Sequence, residues 1–233
     1  MSTVEELPLP DDLRACIPGR EQLLDQTVTV ETSPWRHEAA LRELPAPTGP
    51  FHTHPEVTIT RRDVYAAAGS PINDGSAFQL LYLSLAWAAG DNPGTAMFGL
   101  EPTHETTAVL LDAWRNARDG LDPVECYTRL TRRTHGEKLL RLSPARLTSF
   151  LMFAQGDDVR GRCVPLDAPT VLGLGSLGAG SVFSRRTDAD LYGRYCRLIA
   201  RWADEASTAD RDVRADQVQA ALATLGRASA ALT

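Results

Sequence analysis

The segment from residue 142 to 171 constrains the fold of this chain more than any other stretch. Ser143 and Pro144 open a predicted helix in which apolar residues recur at the helical spacing of three and four positions. Met152 and Phe153 make the opposite face of that helix apolar as well. Because a helix that is apolar on both faces is normally buried, we expect residues 147–154 to form a central and largely buried helix.

An acidic residue follows this helix at a position where few acids occur. Asp167 ends the tetrapeptide Val-Pro-Leu-Asp at 164–167 and stands two residues before Pro169, at the predicted start of another helix. Its carboxylate is therefore expected to accept hydrogen bonds from free backbone N–H groups near the centre of the protein. A buried acid there is either a helix cap or a catalytic group, and the residues alone favour the cap.

The length and the proline distribution predict one structural unit with two kinds of sequence. The chain has 233 residues, of which 43% are hydrophobic, enough for one sizeable core. Prolines interrupt most periodic runs in residues 1–60, so we expect an irregular wrap there. Residues 61–233 have helical periodicity, and the chain is predicted to be all-α, with about eight to ten helices.

The helical pattern predicts particular helices in the second part. They span 61–68, 76–89, 104–117, 123–133, 188–205 and 215–225, with Gly226 expected to end the last one. The glycines at 173–180 spell GxGxxG, but this dinucleotide fingerprint requires a βαβ unit. In an all-α chain we interpret that stretch as a flexible loop.

Composition restricts the compartment and the cofactors. The chain has no run of eighteen apolar residues and its start is acidic, so we expect a cytoplasmic protein without a membrane partner. The four cysteines contain no CxxC pair, which argues against zinc and disulfides and predicts single buried thiols. His52 and His54 have only Glu56 nearby, too few ligands for a metal. No cofactor is predicted.

The net charge of the whole chain and the local charge around the central helix give opposite indications about DNA binding. The formal net charge is −6, which disfavours DNA as a partner, since proteins that neutralise phosphates are usually basic. Arginines nevertheless crowd around the central helix, where Arg141 and Arg146 are the nearest on its N-terminal side. Lys138 is the only lysine in the chain.

The same segment resembles a known family. The order of Leu-Ser-Pro-Ala at 142–145, the apolar helix and Val-Pro-Leu-Asp at 164–167 is similar to the heart of the helix-hairpin-helix DNA glycosylases, specifically the bacterial proteins with the 8-oxoguanine DNA glycosylase fold. Trp35, the segments 62–65 and 86–90, and the two last helices occur in similar order in those proteins, so the resemblance covers most of the chain.

The resemblance implies a site around the family's hairpin turn, which corresponds to residues 143–146 of this chain. In that family, backbone N–H groups of the hairpin bind a DNA phosphate, which here implies contacts at Ser143, Ala145, Arg146 and Arg141. The aspartate of the family stabilises the sugar cation that forms as the glycosidic bond breaks, and Asp167 matches it in position. A carboxylate in a dry pocket suits this chemistry. With the resemblance taken into account, the helix cap and the catalytic role are equally favoured for Asp167, and one side chain can serve as both.

An aromatic pocket for an extruded base is a further candidate. Trp87, Phe153 and Tyr192 are candidates because flipped bases stack on aromatic rings. Most aromatic residues of this chain are nevertheless expected to be ordinary core residues.

Two departures from the family pattern bear on the mechanism. Pro144 stands where family members carry glycines, and it removes one N–H from the phosphate site. The central helix has no lysine where bifunctional members keep their amine nucleophile, so Lys138, just before the hairpin, is the single internal candidate.

Two functions follow from these observations. One is an enzyme, either a monofunctional N-glycosylase that acts on an oxidised or modified base or an enzyme that acts on another N-glycosidic substrate, in which Asp167 drives bond cleavage with water as the nucleophile. The other is a binding or regulatory module on a glycosylase scaffold that has lost the chemistry. A basic groove that converges on Asp167 favours the enzyme, whereas a closed pocket or an acidic mouth favours the module.

Overall fold

The protein is described by a computed structural model at residues 7–131, 140–157, 162–179 and 187–231, together with the backbone of 133–134 and 137–138. Within these ranges it is mostly helical. The two pairs of short strands that are described are both antiparallel. The expectation of an all-α fold is therefore confirmed.

The N-terminal part contains more regular structure than its prolines predict. Its elements are α1 (Asp11–Cys16), α2 (Arg20–Leu24), β1 (Thr27–Glu31), α3 (Thr32–Leu41), α4 (Pro50–Thr53) and β2 (Glu56–Thr60). The strands β1 and β2 pair in the register Thr27 to Thr60 and Glu31 to Glu56. Trp35 and Phe51 are fully buried in the same core as the later helices, so this segment completes the core instead of merely covering it.

The following part consists of longer helices joined by short loops. Its elements are α5 (Arg61–Ala68), α6 (Asp74–Ala89), α7 (Pro93–Ala96), α8 (His104–Arg118), α9 (Pro123–Leu130), β3 (Arg133–Thr134), β4 (Glu137–Lys138), α10 (Pro144–Ala154), α11 (Ala168–Ser176), α12 (Ala189–Ala206) and α13 (Ala215–Ala230). The described elements include thirteen helical segments, more than predicted, because short segments in the N-terminal part and at 93–96 have little periodicity to detect.

The helix α10 lies at the centre, as its two apolar faces predict. It packs against α5, α6, α8 and α9, and every residue from 147 to 154 is buried. Phe150, Leu151 and Phe153 are at most 1% exposed. Burial on all sides fixes the position of α10, and with it the start of the helix at Ser143.

Gly173 and Gly226 let α11 pack closely against α13. The sequence pattern predicts a flexible loop at Gly173 and a helix end at Gly226, and both predictions are wrong. Gly226 lies inside α13, which continues to Ala230, and Gly173 lies inside α11 instead of in a flexible loop. A Cβ on Gly226 would overlap the carbonyl oxygen of Pro169, and a Cβ on Gly173 would overlap that of Leu222. The glycines therefore permit a close crossing of two helices, a role that sequence periodicity does not distinguish from a helix end.

The cysteines are all reduced, and one differs from the prediction. Cys126, Cys163 and Cys196 are buried, whereas Cys16 at the end of α1 is exposed. A hydrogen bond with Cys126, together with burial, raises the pKa of the Cys163 thiol well above its ordinary value. Cys163 therefore stays protonated at neutral pH and is a poor nucleophile.

Candidate functional site

A cavity of about 620 Å³ lies where α10, α11 and α13 meet the C-terminal end of α6 and the first strand. Helix α10 contributes Ala145, Arg146, Ser149 and Met152 to its lining. The other lining residues come from 26–28, 61, 87–95, 165–169 and 219–227, with Ser143 at the start of α10. Its volume falls within the range of about 300 to 1,000 Å³ that is usual for small-molecule sites.

Asp167 lines this cavity and caps α11. Its Oδ1 accepts a hydrogen bond of 2.9 Å from the N–H of Thr170, so the predicted cap is present. Oδ2 has no hydrogen-bond partner among the described residues. The residue is partly exposed, not buried as expected from the sequence. One carboxylate oxygen thus fixes the side chain while the other stays free to interact with a ligand.

Helix α12 holds the backbone before Asp167 in place. The hydroxyl of Tyr195 donates to the carbonyl oxygen of Pro165 over 2.7 Å, and the hydroxyl of Tyr192 donates to that of Val164 over 3.2 Å. Both tyrosines are fully buried. Two rigid side chains from one helix therefore fix consecutive carbonyl groups of the segment that leads to Asp167.

Helix α10 binds the same segment from the other side. The backbone N–H of Leu166 donates to Thr148 Oγ1 over 3.0 Å. The amide of Gln155 both accepts from the N–H of Cys163 and donates to its carbonyl oxygen, over 3.0 and 2.9 Å. These buried hydrogen bonds leave the segment little freedom, so the position of Asp167 is set before any ligand binds.

Helix α13 is joined to α11 next to the cap. Gln219 Nε2 donates to Thr170 Oγ1 over 2.9 Å, and both residues are buried. Thr170 also supplies the N–H that Asp167 accepts. The carboxylate is thus connected through one threonine to the helix that forms the opposite wall of the cavity.

Three arginines give the cavity its charge. Arg61, Arg146 and Arg227 line it, whereas Asp167 is the only carboxylate among the described lining residues. None of the three forms an ion pair with a described carboxylate; Arg227 donates only to Thr224 Oγ1, over 3.2 Å. Burial lowers the pKa of the Arg146 guanidinium, although an arginine remains charged at neutral pH. The groove at Asp167 is therefore basic in a protein that is acidic overall.

The N-terminus of α10 opens into the same cavity. Ser143 is its N-cap but makes no side-chain capping bond, and Pro144 occupies the first helical position. The N–H of Ala145 has no partner among the described residues. The helix therefore presents a free N–H and the positive end of its dipole, which is the arrangement that binds anions.

These features agree with what comparison with known proteins finds. Residues 21–223 match the model of the family described as "Putative 8-oxoguanine DNA glycosylase OGG-like protein". The chain belongs to this family. No curated protein and no solved structure matches it. The resemblance noted at the central helix is therefore confirmed, and the chain is a DNA-glycosylase-like protein.

Of the three aromatic residues predicted for a base pocket, only one lines the cavity of this OGG-like protein. Trp87 lines the cavity and is partly buried. Phe153 lies behind it, with ring centroids 5.9 Å apart and planes at 76°, and is fully buried. Tyr192 is a core residue that holds Val164. Trp87 is thus the only one of the three placed to touch a ligand directly.

Three of the four residues predicted to contact a phosphate line the cavity, and the fourth does not. Ser143, Ala145 and Arg146 line the cavity together with Asp167, whereas Arg141 is exposed and lies outside the lining. The backbone of Lys138 belongs to β4, but its side chain lies outside the described part of the chain. The structure therefore brings together the hairpin start and the carboxylate, as the family resemblance implies.

Several lining residues were not predicted from the sequence. Gln26, Arg61 and Arg227 come from segments that are far from α10 in sequence, and each looks like an ordinary surface residue there. The sequence places Arg61 at the first position of a predicted helix, but that position does not indicate whether the side chain is buried. Only the packing of the chain brings these side chains to Asp167.

Among the helices of the described ranges, none combines the length and apolarity that crossing a bilayer requires. In the same ranges, His, Cys, Asp and Glu side chains do not gather in threes as metal ligands would.

Proposed function

We propose that this OGG-like protein hydrolyses an N-glycosidic bond of a modified base in DNA, with Asp167 as the catalytic carboxylate. The observation that carries the proposal is the cavity in which a held carboxylate stands among three arginines that have no described acidic partners. An open basic cavity at this acid is the arrangement that favours an enzyme over an inert scaffold.

The proposed reaction needs no covalent intermediate. The bond between the sugar C1′ and the base nitrogen breaks, and its electron pair leaves with the base, which takes up a proton. Positive charge develops on the sugar, and the carboxylate of Asp167 stabilises it in a site partly shielded from water. A water molecule then forms the new bond to C1′, and the carboxylate accepts the proton that this water loses.

The DNA backbone would bind at the basic side of the cavity. The free N–H of Ala145 and the positive end of α10 suit one phosphate, and Arg146 on the first turn adds a full charge. Arg227 on the facing helix suits a second phosphate. Local charge of this kind supports DNA binding in spite of the net charge of −6.

The absence of a lysine in α10 favours water as the nucleophile. Lys138 is the only lysine of the chain, so no other side-chain amine exists to form a Schiff base with the sugar. We therefore expect base release without cleavage of the strand. Borohydride treatment during the reaction should trap no covalent adduct, and an adduct that disappears in Lys138→Ala would make Lys138 the nucleophile instead.

One observation favours a binding module. The hydrogen bond from Thr170 to Asp167 is all that a purely structural cap requires, and such caps occur in any helical protein. On this alternative the protein binds DNA or another ligand without breaking a bond. The two proposals differ in what removal of the carboxylate charge does.

The deciding experiment compares Asp167→Asn with Asp188→Asn. Asp188 caps α12 in the same way, accepting from the N–H of Leu191 over 2.8 Å, and it lies outside the cavity. Asparagine is about as good a cap as aspartate, so each variant should lose at most about 1 kcal/mol of unfolding free energy. Base release should fall at least about a hundredfold in Asp167→Asn and stay unchanged in Asp188→Asn.

Base release is measured in single turnover with oligonucleotides that carry oxidised, alkylated or deaminated bases, and stability is measured by thermal melting. If the wild-type protein releases none of these bases and the two variants differ from it only in melting temperature, the enzyme loses to the binding module. Equal base release by wild type and Asp167→Asn would also overturn the catalytic role of Asp167.

A further inference from the structure

Arg61 is a buried cation without a described anion. It is the first residue of α5, is 5% exposed and lines the cavity. No described carboxylate pairs with it. Since buried charges are normally paired, an unpaired guanidinium beside a cavity indicates a ligand that completes its interactions.

The hydrogen bonds that Arg61 does make leave most of its donors free. Nη1 contacts Met152 Sδ at 3.6 Å and Nη2 donates to Gln26 Oε1 at 3.2 Å, while Nε is buried without a partner. A guanidinium carries five N–H groups, so about three remain unused. Sulfur is a weak acceptor, and the Met152 contact satisfies its donor poorly.

The orientation of the guanidinium is fixed on both sides. Its Cζ lies 5.2 Å from the centroid of the Trp87 ring, a cation–π contact, and that ring is held edge-on by Phe153. The capping box formed by Thr60 and Asp63 anchors the start of α5. A charged planar fork is thus held in place before a ligand arrives, which lowers the entropic cost of binding.

The surrounding polar groups are also unused. Ser149 is 4% exposed and lines the cavity, and its side-chain hydroxyl has no hydrogen-bond partner among the described residues. The amide nitrogen of Gln26 has no described partner either. The wall of the cavity near Arg61 therefore offers the N–H donors of the Gln26 amide and the hydroxyl of Ser149, which can donate or accept, in addition to the guanidinium itself.

We infer that Arg61 is the specificity-determining residue of the proposed reaction, which selects a base whose edge carries two neighbouring acceptor atoms. This inference rests on the proposed function. A purine with oxygen at C6 presents O6 and N7 side by side, and an arginine fork donates to both. Adenine presents an amino group at C6 instead, so a donor would face a donor and both would lose their hydrogen bonds to water.

The test uses single-stranded oligonucleotides that differ at one purine, hypoxanthine in one and adenine in the other, so that C6 carries oxygen or an amino group and N1 carries a hydrogen only in hypoxanthine. A single strand removes the cost of extruding the base from a duplex. Binding is followed in the Asp167→Asn background, so that no base is released. Trp87 is the partly exposed tryptophan, since Trp35, Trp114 and Trp202 are buried, and base binding should quench its fluorescence.

The parent protein should bind the hypoxanthine oligonucleotide about tenfold more tightly than the adenine oligonucleotide. Arg61→Met, which keeps the length and the apolar packing, should abolish this preference. Arg62→Met is the matched control, because its guanidinium is 50% exposed, pairs with Glu21 and Asp25 and lies outside the cavity. This control should keep the preference, and Trp87→Phe should remove the quenching.

Every outcome bears on the inference. Equal binding of the two oligonucleotides by the parent, or a preference that persists in Arg61→Met, overturns it. If Arg61→Met fails to fold, Arg61→Lys is used instead, because it keeps the positive charge without the two-pronged guanidinium. An unchanged preference for hypoxanthine in Arg61→Lys also overturns the inference. A preference that depends on Arg61 in a protein that releases no base supports base recognition by Arg61 and rejects the proposed catalysis. Base release without such a preference supports the proposed catalysis and rejects the inference.

Discussion

Gly226 and Pro169 lie in contact where α13 crosses the first turn of α11, so close that a Cβ on the glycine would overlap the proline carbonyl oxygen. Pro169 is two residues beyond Asp167. The distance between these two helices therefore sets the position of the carboxylate relative to Arg227 and Gln219 on the facing wall.

Gly226→Ala should lower both stability and activity. Alanine is favoured over glycine in a helix by about 1 kcal/mol, but the overlap forces α11 and α13 apart at a cost of about 1–3 kcal/mol. We expect a net loss of stability in thermal and urea unfolding, and a fall in base release because Asp167 moves with α11.

Gly175→Ala is the control for that substitution. Gly175 lies in α11, the helix that Gly226 of α13 contacts; it is exposed, and a Cβ there would have nothing within 4 Å. The alanine should therefore leave activity unchanged and stabilise the protein by up to about 1 kcal/mol. A Gly226→Ala variant as stable and as active as Gly175→Ala would show that the close crossing is not needed.

The sequence predicted those parts of the fold that depend on local patterns. The two apolar faces of α10 predicted its burial, and the acid before Pro169 predicted the cap on α11. Each pattern lies within one short segment of the chain. The sequence did not distinguish a glycine that ends a helix from one that lets two helices approach, because both have the same local context.

The candidate site was predictable on the α10 and α11 side and at Trp87 of α6. Asp167 and Arg146 belong to one continuous segment, so the family resemblance was enough to place them together. Arg61 and Gln26 reach the cavity only through the packing of β1 and α5 on the core, and in sequence they look like surface residues. Long-range packing, which single-sequence periodicity does not contain, supplies the other half of the wall.

The tyrosines predict how stability depends on pH. Burial raises the pKa of Tyr127 to about 12, and it also raises the pKa of the other four tyrosines, Tyr65, Tyr82, Tyr192 and Tyr195. Above the ordinary pKa of about 10, the unfolded chain releases protons that the folded chain retains. The folded state therefore binds more protons, and stability must fall as pH rises above 10.

Two measurements check this expectation. The absorbance of tyrosinate at 295 nm should stay flat through pH 10 and rise in one step with the loss of helical circular dichroism. The unfolding free energy from urea titrations should decline with pH above 10, on account of the tyrosines. Ionisation of one or more tyrosines near pH 10 in a protein that is still folded would contradict the raised pKa values.

Replacing Arg146 and Arg227 together by alanine should weaken DNA binding without changing its sequence preference. Each arginine is expected to contact a phosphate, and phosphate contacts carry no base information. Each lost contact should reduce the slope of log K against log salt concentration by about one, so the double variant should lose about two. The measurement is fluorescence anisotropy with several labelled oligonucleotides over a range of salt concentrations.

A matched pair of arginines separates local from general charge. Arg62 is exposed and Arg129 is partly exposed; both lie outside the cavity and pair with acidic side chains, so Arg62→Ala with Arg129→Ala removes the same net charge. This control should bind DNA as the wild type does and keep its salt dependence. If both double variants weaken binding equally, the protein binds DNA through its overall charge, and the arginines at the cavity have no special role in holding the strand beside Asp167.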